Sequence, residues 1–182
     1  MLSHPHRDDM QSRILAAFRS LRPAKDAENF VAFGEAVLAN SRMVAFAGRN
    51  PEQVALMVRA LWETTASSGG ALKVQWNEGE KGLVITTAMP DQVFIVDTIR
   101  KALRAFGVGR LTGFHTVLPL NRSAGLRVGG SGDRVESVTC FEVEGLEAAD
   151  GDAAVADLTA RLNLATLVVA DFDAVCAQVR DA

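Results

Sequence analysis

The residues of this sequence best suited to chemistry are a few polar side chains in its second half. Cys140 lies in the segment RVESVTCFEV, where strand alternation would place it on one face with Glu136, Val138 and Glu142. A nucleophilic site needs a cysteine or serine beside a base, and His115 in the preceding apolar segment could supply one. A small enzyme using Cys140 and His115 is therefore one alternative. Because a lone histidine and a lone cysteine on a sheet more often pack than react, we predict no catalytic residue.

Other polar motifs lack the context that chemistry needs. The glycine-rich stretch 129–132 precedes a strand, whereas a phosphate loop must open a helix whose amides face the anion. His4 and His6 stand with two aspartates in the polar tail, residues 1–9, where a metal would lack rigid support. No paired Cys or His spacing suits zinc, so we predict no metal and no cofactor. Glu142 and Glu144 are predicted to form a solvated strand edge.

The turn 88–92 is the strongest candidate for a binding site. It joins the predicted strand LVITTAMP to the helix VFIVDTIRKALRAFG, residues 93–107, whose apolar side chains recur every three or four positions. The free amides at a helix N-terminus carry partial positive charge and suit the carboxylate of a small ligand. Asp91 could equally cap the helix by accepting from one of those amides. The predicted ligand-binding residues are Met89, Pro90, Asp91, Gln92 and Asp97.

Elements on both sides of this turn have readable patterns. Helices are predicted over residues 10–21, 27–41 and 50–66, the first following a frayed tail. Asp26 is a candidate cap for the second helix, and Asn50, Pro51 and Gln53 form a capping-box signature for the third. The link Ser67-Ser68-Gly69-Gly70 is the predicted boundary between an N-terminal helical segment, residues 1–68, and an α+β domain, residues 71–182.

The α+β domain reads as β-β-α-β-β-α. LKVQWN and LVITTA are predicted strands of a hairpin, and further strands are predicted near residues 109–119 and 134–143. Helices are predicted at 93–107, ending at Gly107, and from Asp152 onward, with a break near Asn163. This order predicts a four-stranded antiparallel sheet with its helices on one face, an α+β layer of the ferredoxin-like kind.

Composition limits the classes of function. The 182 residues are 48% hydrophobic and 23% charged, which is ordinary globular composition. A net charge of −3 argues against nucleic-acid binding, which needs a basic patch. No signal-peptide core and no apolar run of about 18 residues is visible, so we expect a cytoplasmic protein without membrane partners.

The order β-α-β-β-α with a strand-to-helix ligand turn resembles an ACT domain, the amino-acid-sensing module of many metabolic enzymes. Residues 50–175 are similar to the first ACT-like segment of the large NAD-dependent glutamate dehydrogenases. VFIVDTI matches the second half of that family's DDMPFLVDSV stretch, HTVL its His-Pro and apolar pair, ESV its Glu-Ser strand start, and VADF its Val-x-Asp-Trp. The positions that match the family's motifs are Phe94, Asp97, His115, Glu136, Ser137 and Asp171.

The resemblance implies a non-catalytic regulatory or assembly module that senses an amino acid or mediates oligomerisation. Its implied partners are a second copy in a homodimer, or a dehydrogenase catalytic region, and a small amino-acid ligand. The acidic DDMP turn of the family is replaced here by Pro90-Asp91-Gln92-Val93, and Thr116 replaces its proline. The family's catalytic domain, with its nucleotide fold and lysine, has no counterpart in these residues, so the activity is not expected to transfer. A pure protein-interaction adaptor is the third alternative.

Overall fold

A computed structural model describes residues 5–21, 23, 26–130 and 133–180, and gives the backbone alone at 5–8 and 173–180. The helices are α1 Pro5–Ser20, α2 Ala27–Asn40, α3 Pro51–Ser68, α4 Ile95–Ala105 and α5 Gly151–Arg180. The strands are β1 Lys73–Glu78, β2 Gly82–Pro90, β3 Arg110–Asn121, β4 Arg127–Val128 and β5 Arg134–Glu144. Short 3-10 helices span Met43–Phe46 and Ala148–Asp150.

The strands form one antiparallel sheet in the order β1-β2-β5-β3-β4. The α+β class agrees with the sequence, although the sheet has five strands where four are predicted. The extra strand, β4, is two residues long and pairs with the end of β3. β5 lies at the centre, so Glu142 and Glu144 do not lie on a sheet edge and that prediction is wrong.

Helices cover both faces of this sheet because β2 and β5 carry apolar side chains in both directions. Val84 and Ala88 on β2 face a core made with α1, α2 and α3. Leu83, Ile85 and Met89 face a second core made with α4 and α5. The two helices of the predicted α+β domain thus share one face, as expected, and the N-terminal helical segment covers the other. Whether residues 69–70 separate two domains stays a prediction.

The N-terminal helices follow their local signals with two differences. Gln53 N–H donates to Asn50 Oδ1 and Asn50 N–H to Gln53 Oε1, both at 2.8 Å, which confirms the capping box. Asp26 precedes α2 in a left-handed conformation, φ 60°, and its side chain makes no capping bond, so its predicted role is wrong. α1 begins at Pro5, within the predicted frayed tail, whereas His4 and the side chain of His6 lie outside the described residues.

The last two helices also differ from the sequence pattern in detail. α4 begins at Ile95, so Val93 precedes it and is 58% exposed, while Ile95 is buried in its place. Gly107 follows α4 with φ 74°, as predicted for a residue that ends a helix. α5 runs for 30 residues without the predicted break near Asn163.

One described helix is long and apolar enough to cross a membrane by length and composition alone. The segment is Ala148–Phe172, with a mean hydropathy of 1.4 over its most apolar window. Its first half packs on the sheet through Ala154, Leu158 and Leu162, which are all fully buried. After Leu162 it carries large apolar side chains that are exposed, among them Leu164, Leu167, Val168 and Phe172.

Candidate functional site

The predicted ligand turn forms an open corner between β2 and α4. Met89 is buried beneath α4, whereas Pro90 and Asp91 are exposed. Asp91 N–H donates to Val135 O of β5 at 3.1 Å, which fixes the start of the turn. No capping bond to α4 is found from a side chain in the described part of the chain, so Asp91 does not perform the alternative capping role. The first amides of the helix are therefore left for water or a ligand.

The middle of the corner is strained and apolar. Phe94 adopts the left-handed conformation, φ 69°, which costs a non-glycine residue free energy, and its side chain is 64% exposed. Gln92 Nε2 is buried without a hydrogen-bond partner among the described residues. Asp97 lies exposed in the first turn of α4. The strained residue Phe94 and the unpaired amide of Gln92 therefore both lie at the strand-to-helix corner.

A histidine contact lies on the sheet face that α4 covers. His115 Nε2 and Ser137 Oγ lie 2.7 Å apart across β3 and β5. Partial burial lowers the pKa of His115, and the negative charge of Asp91 opposes that shift. Ser137 is fully buried, so its hydroxyl is closed to a substrate despite the neighbouring base. The contact joins two positions of the family motif through packing and hydrogen bonding.

Glu136 has a structural role that its motif position does not reveal. Its two carboxylate oxygens accept from Arg122 Nε at 2.9 Å and Arg122 Nη2 at 2.8 Å. The same Nη2 donates to Thr65 O at 2.8 Å and Ser68 Oγ at 3.0 Å, in the last turn of α3. A guanidinium at a helix C-terminus suits the negative end of the helix dipole. The pair therefore fastens α3 to the sheet.

Cys140 and His115 lie on opposite faces of the sheet. Cys140 pairs in register with Phe114, so the next residue of β3, His115, points the other way. Cys140 is fully buried among the N-terminal helices, and desolvation raises the pKa of its thiol. A buried thiol with a raised pKa is a poor nucleophile. The geometry gives no support to a nucleophilic pair of these residues.

The remaining motif position, Asp171, is exposed on α5 far along the helix from its packed first half. Its carboxylate makes no hydrogen bond or ion pair within the described part of the chain. The motif residues thus divide into an open corner, a sheet contact, a buried ion pair and an exposed helix position. They do not converge on one cavity.

A cleft of about 710 Å³ lies among the described residues, and the sequence does not indicate it. It lies on the face covered by α3, at the end of the sheet opposite the corner, between the start of α3 and the β1–β2 hairpin. A volume of this order is typical of small-molecule sites. Its residues include Arg49, Met57, Val84, Thr112 and Glu142.

An ion pair forms the inner polar wall of this cleft. Arg49 Nη2 donates to Glu142 Oε2 and Thr112 Oγ1, both at 2.8 Å, and Arg49 Nη1 donates to Ala45 O at 3.1 Å. The side chains of Arg49 and Glu142 are 11% and 13% exposed. Arg49 lies 93 positions before Glu142, so no local pattern could pair them. The usable signal is Glu142 itself, a carboxylate on the same strand face as buried Val138 and Cys140.

Comparisons of the chain with protein-family models, with curated proteins and with solved structures found no match. The resemblance to an ACT-like dehydrogenase segment therefore depends on the sequence motifs.

Proposed function

We propose that this chain is a non-catalytic regulatory or assembly module of the ACT-like kind, similar to the N-terminal region of a large NAD-dependent glutamate dehydrogenase. The supporting observation is the unit β2-α4-β3-β5-α5, in which β2 and β3 flank β5 and both helices cover one face. In this unit a strand feeds a helix through an exposed corner, the arrangement that the resemblance implies for sensing. The proposed ligand is a small amino acid.

The exposed apolar surfaces favour a second copy of the chain as the partner. Val93, Phe94 and Val135 are more than half exposed, and the backbone of the corner bonds to Val135 of β5. Residues 164–172 of α5 add Leu164, Leu167, Val168 and Phe172, which recur at helical spacing and are all more than half exposed. Groups of exposed apolar side chains are typical of protein interfaces, and symmetric dimers are the commonest assemblies. A dehydrogenase catalytic region is the alternative partner.

Sedimentation velocity tests the assembly role. We expect a dimer, and the double variant Leu167→Ser/Phe172→Ser is expected to sediment as a monomer because it removes apolar area from α5. Leu56→Ser is the matched control, because Leu56 is 55% exposed on a different helix. A monomer at all concentrations would leave the second copy without support, and co-sedimentation with a dehydrogenase catalytic region would identify the alternative partner.

Calorimetric titration with glutamate, aspartate and the branched-chain amino acids tests the sensing role. Heat from one of them supports a regulatory module, whereas a dimer without heat from any leaves assembly alone. A monomer that binds none of them and captures a protein partner would be the adaptor.

The enzyme alternative predicts a catalytic activity that a folded Cys140→Ala variant loses. The burial of that thiol argues against this outcome.

A further inference from the structure

The cleft beside Arg49 has polar groups of both signs over an apolar floor. We propose that it binds a small zwitterion with an apolar side chain, an α-amino acid of the leucine type. This inference rests on the proposed function, and it moves the ligand site from the corner to the opposite end and face of the sheet.

The charges around the cleft favour a ligand that carries both signs. Four cationic side chains and five carboxylates line it, so neither sign dominates. Such mixed walls would repel a polyanion such as a nucleotide at five positions and a polycation at four. The cations are Arg49, Arg59, Lys81 and Arg110, and the carboxylates are Glu63, Glu78, Glu80, Glu142 and Glu144.

The inner ion pair keeps hydrogen-bonding capacity for both ends of a zwitterion. Arg49 uses Nη1 and Nη2 on the protein, and its Nε–H has no partner within the described residues. Glu142 Oε2 accepts from Arg49, while Oε1 has no partner in the same part of the chain. A ligand carboxylate can therefore accept from Arg49, and a ligand ammonium can donate to Glu142. Because Thr112 and Ala45 also hold Arg49, its guanidinium is positioned before a ligand arrives.

The apolar part of the cleft suits an aliphatic side chain. Met57 and Val84 are 6% and 7% exposed and lie at its base, and Ala60 adds a small side chain beside them. Methionine adapts its shape to an apolar ligand. Gly79 leaves room beside the carboxylate, since a Cβ there would lie 3.4 Å from Glu142 Oε1 and 2.9 Å from Val84 Cγ2.

Three probes with similar aliphatic side chains test whether binding needs both charges of the zwitterion or only one of them. L-leucine carries both charges, 4-methylpentanoate carries the negative one and 3-methylbutylamine the positive one. We expect leucine to bind at least ten times more tightly than either analogue, measured by calorimetry and by amide chemical shifts. Shift changes should centre on residues 48–49 and 79. Equal binding of the three probes would overturn the assignment of a zwitterion.

Two variants test the site by different means. Arg49→Met removes the guanidinium and is expected to weaken leucine binding at least tenfold. Ala60→Phe keeps the ion pair and fills the cleft, with the same expected loss, so the test survives if Arg49→Met folds poorly. The control is Arg161→Met, which removes an equal charge from an exposed pair with Asp157 on α5. Binding unchanged in a folded Ala60→Phe would overturn the proposal.

The position of the shifts separates this inference from the proposed function. Leucine-induced shifts centred on residues 91–97, with the cleft unaffected, would overturn the cleft site and leave a sensing module that uses the corner. Absence of leucine binding would also overturn the cleft site, while the sedimentation experiment would still decide the assembly role.

Discussion

Two ion pairs on one face of β5 use the same chemistry in opposite settings. Glu136 and Glu142 both point toward the N-terminal helices, and each carboxylate accepts from an arginine at 2.8 Å. The side chain of Glu136 is 1% exposed and both of its oxygens are bonded to Arg122. The side chain of Glu142 is 13% exposed, one of its oxygens is bonded, and it lines the cleft.

The difference shows that the same kind of ion pair can be purely structural at one end of a strand and accessible to a ligand at the other. A buried pair whose hydrogen bonds are all satisfied fixes the packing of its elements, and removing one partner leaves a charge without compensation. A pair beside a cleft can exchange bonds with water or a ligand, because solvent reaches it. An ion pair whose carboxylate oxygens are both hydrogen-bonded is structural, whereas one with a free carboxylate oxygen can serve as part of a binding site.

The largest expected effect is at the saturated pair. Arg122→Ala would leave Glu136 charged, buried and unpaired, and would remove two bonds to the last turn of α3. We expect the free energy of unfolding to fall by about 3 to 5 kcal/mol, measured by urea denaturation. The double variant Arg122→Met/Glu136→Leu should recover most of the loss, because no isolated charge remains. A loss below about 1 kcal/mol in Arg122→Ala would mean that water reaches Glu136.

The pair at the cleft should tolerate the same change better. Arg49→Met leaves Glu142 near solvent, so we expect a loss of about 1 to 2 kcal/mol in the same denaturation experiment. The loss should be smaller than that of Arg122→Met measured under identical conditions. If the two variants lose equal stability, the distinction between a closed and an open pair is wrong.

Local patterns explain which of these features the sequence could predict. The capping box of α3, the hairpin, the helix stop at Gly107 and the strand-to-helix corner depend on residues within a few positions of one another. The cleft depends on Arg49 meeting a carboxylate 93 positions later, and that contact exists once α3 is docked on the sheet. The central position of β5 was missed for the same reason, since strand order is set by long-range pairing.

The corner contains a strained backbone conformation, whereas the energetic cost of the two ion pairs is the desolvation of their charges. Phe94→Gly relieves the left-handed conformation and loses little buried area, because the side chain is 64% exposed. We expect a net stabilisation of about 0.5 to 1 kcal/mol at low protein concentration, after the cost of a more flexible unfolded chain. Phe94→Leu keeps the strain and is the control. Destabilisation by glycine alone would show that the conformation is not the cost.

The smallest effect concerns a third polar contact of β5, on the opposite face, between Ser137 and His115. Because the folded pKa of His115 lies below its ordinary value of 6.5, the unfolded chain takes up a proton first as the pH falls. The destabilising effect of this lowered pKa is therefore absent above pH 6.5. The free energy of unfolding decreases as the pH falls from 6.5 toward the folded pKa. His115→Gln should make the pH dependence of unfolding shallower in this window.

Asp91→Asn should lower the pKa of His115 further, as read by NMR titration, because it removes the charge that opposes the shift. An unchanged His115 pKa in Asp91→Asn would mean that the corner and the sheet contact are electrostatically independent.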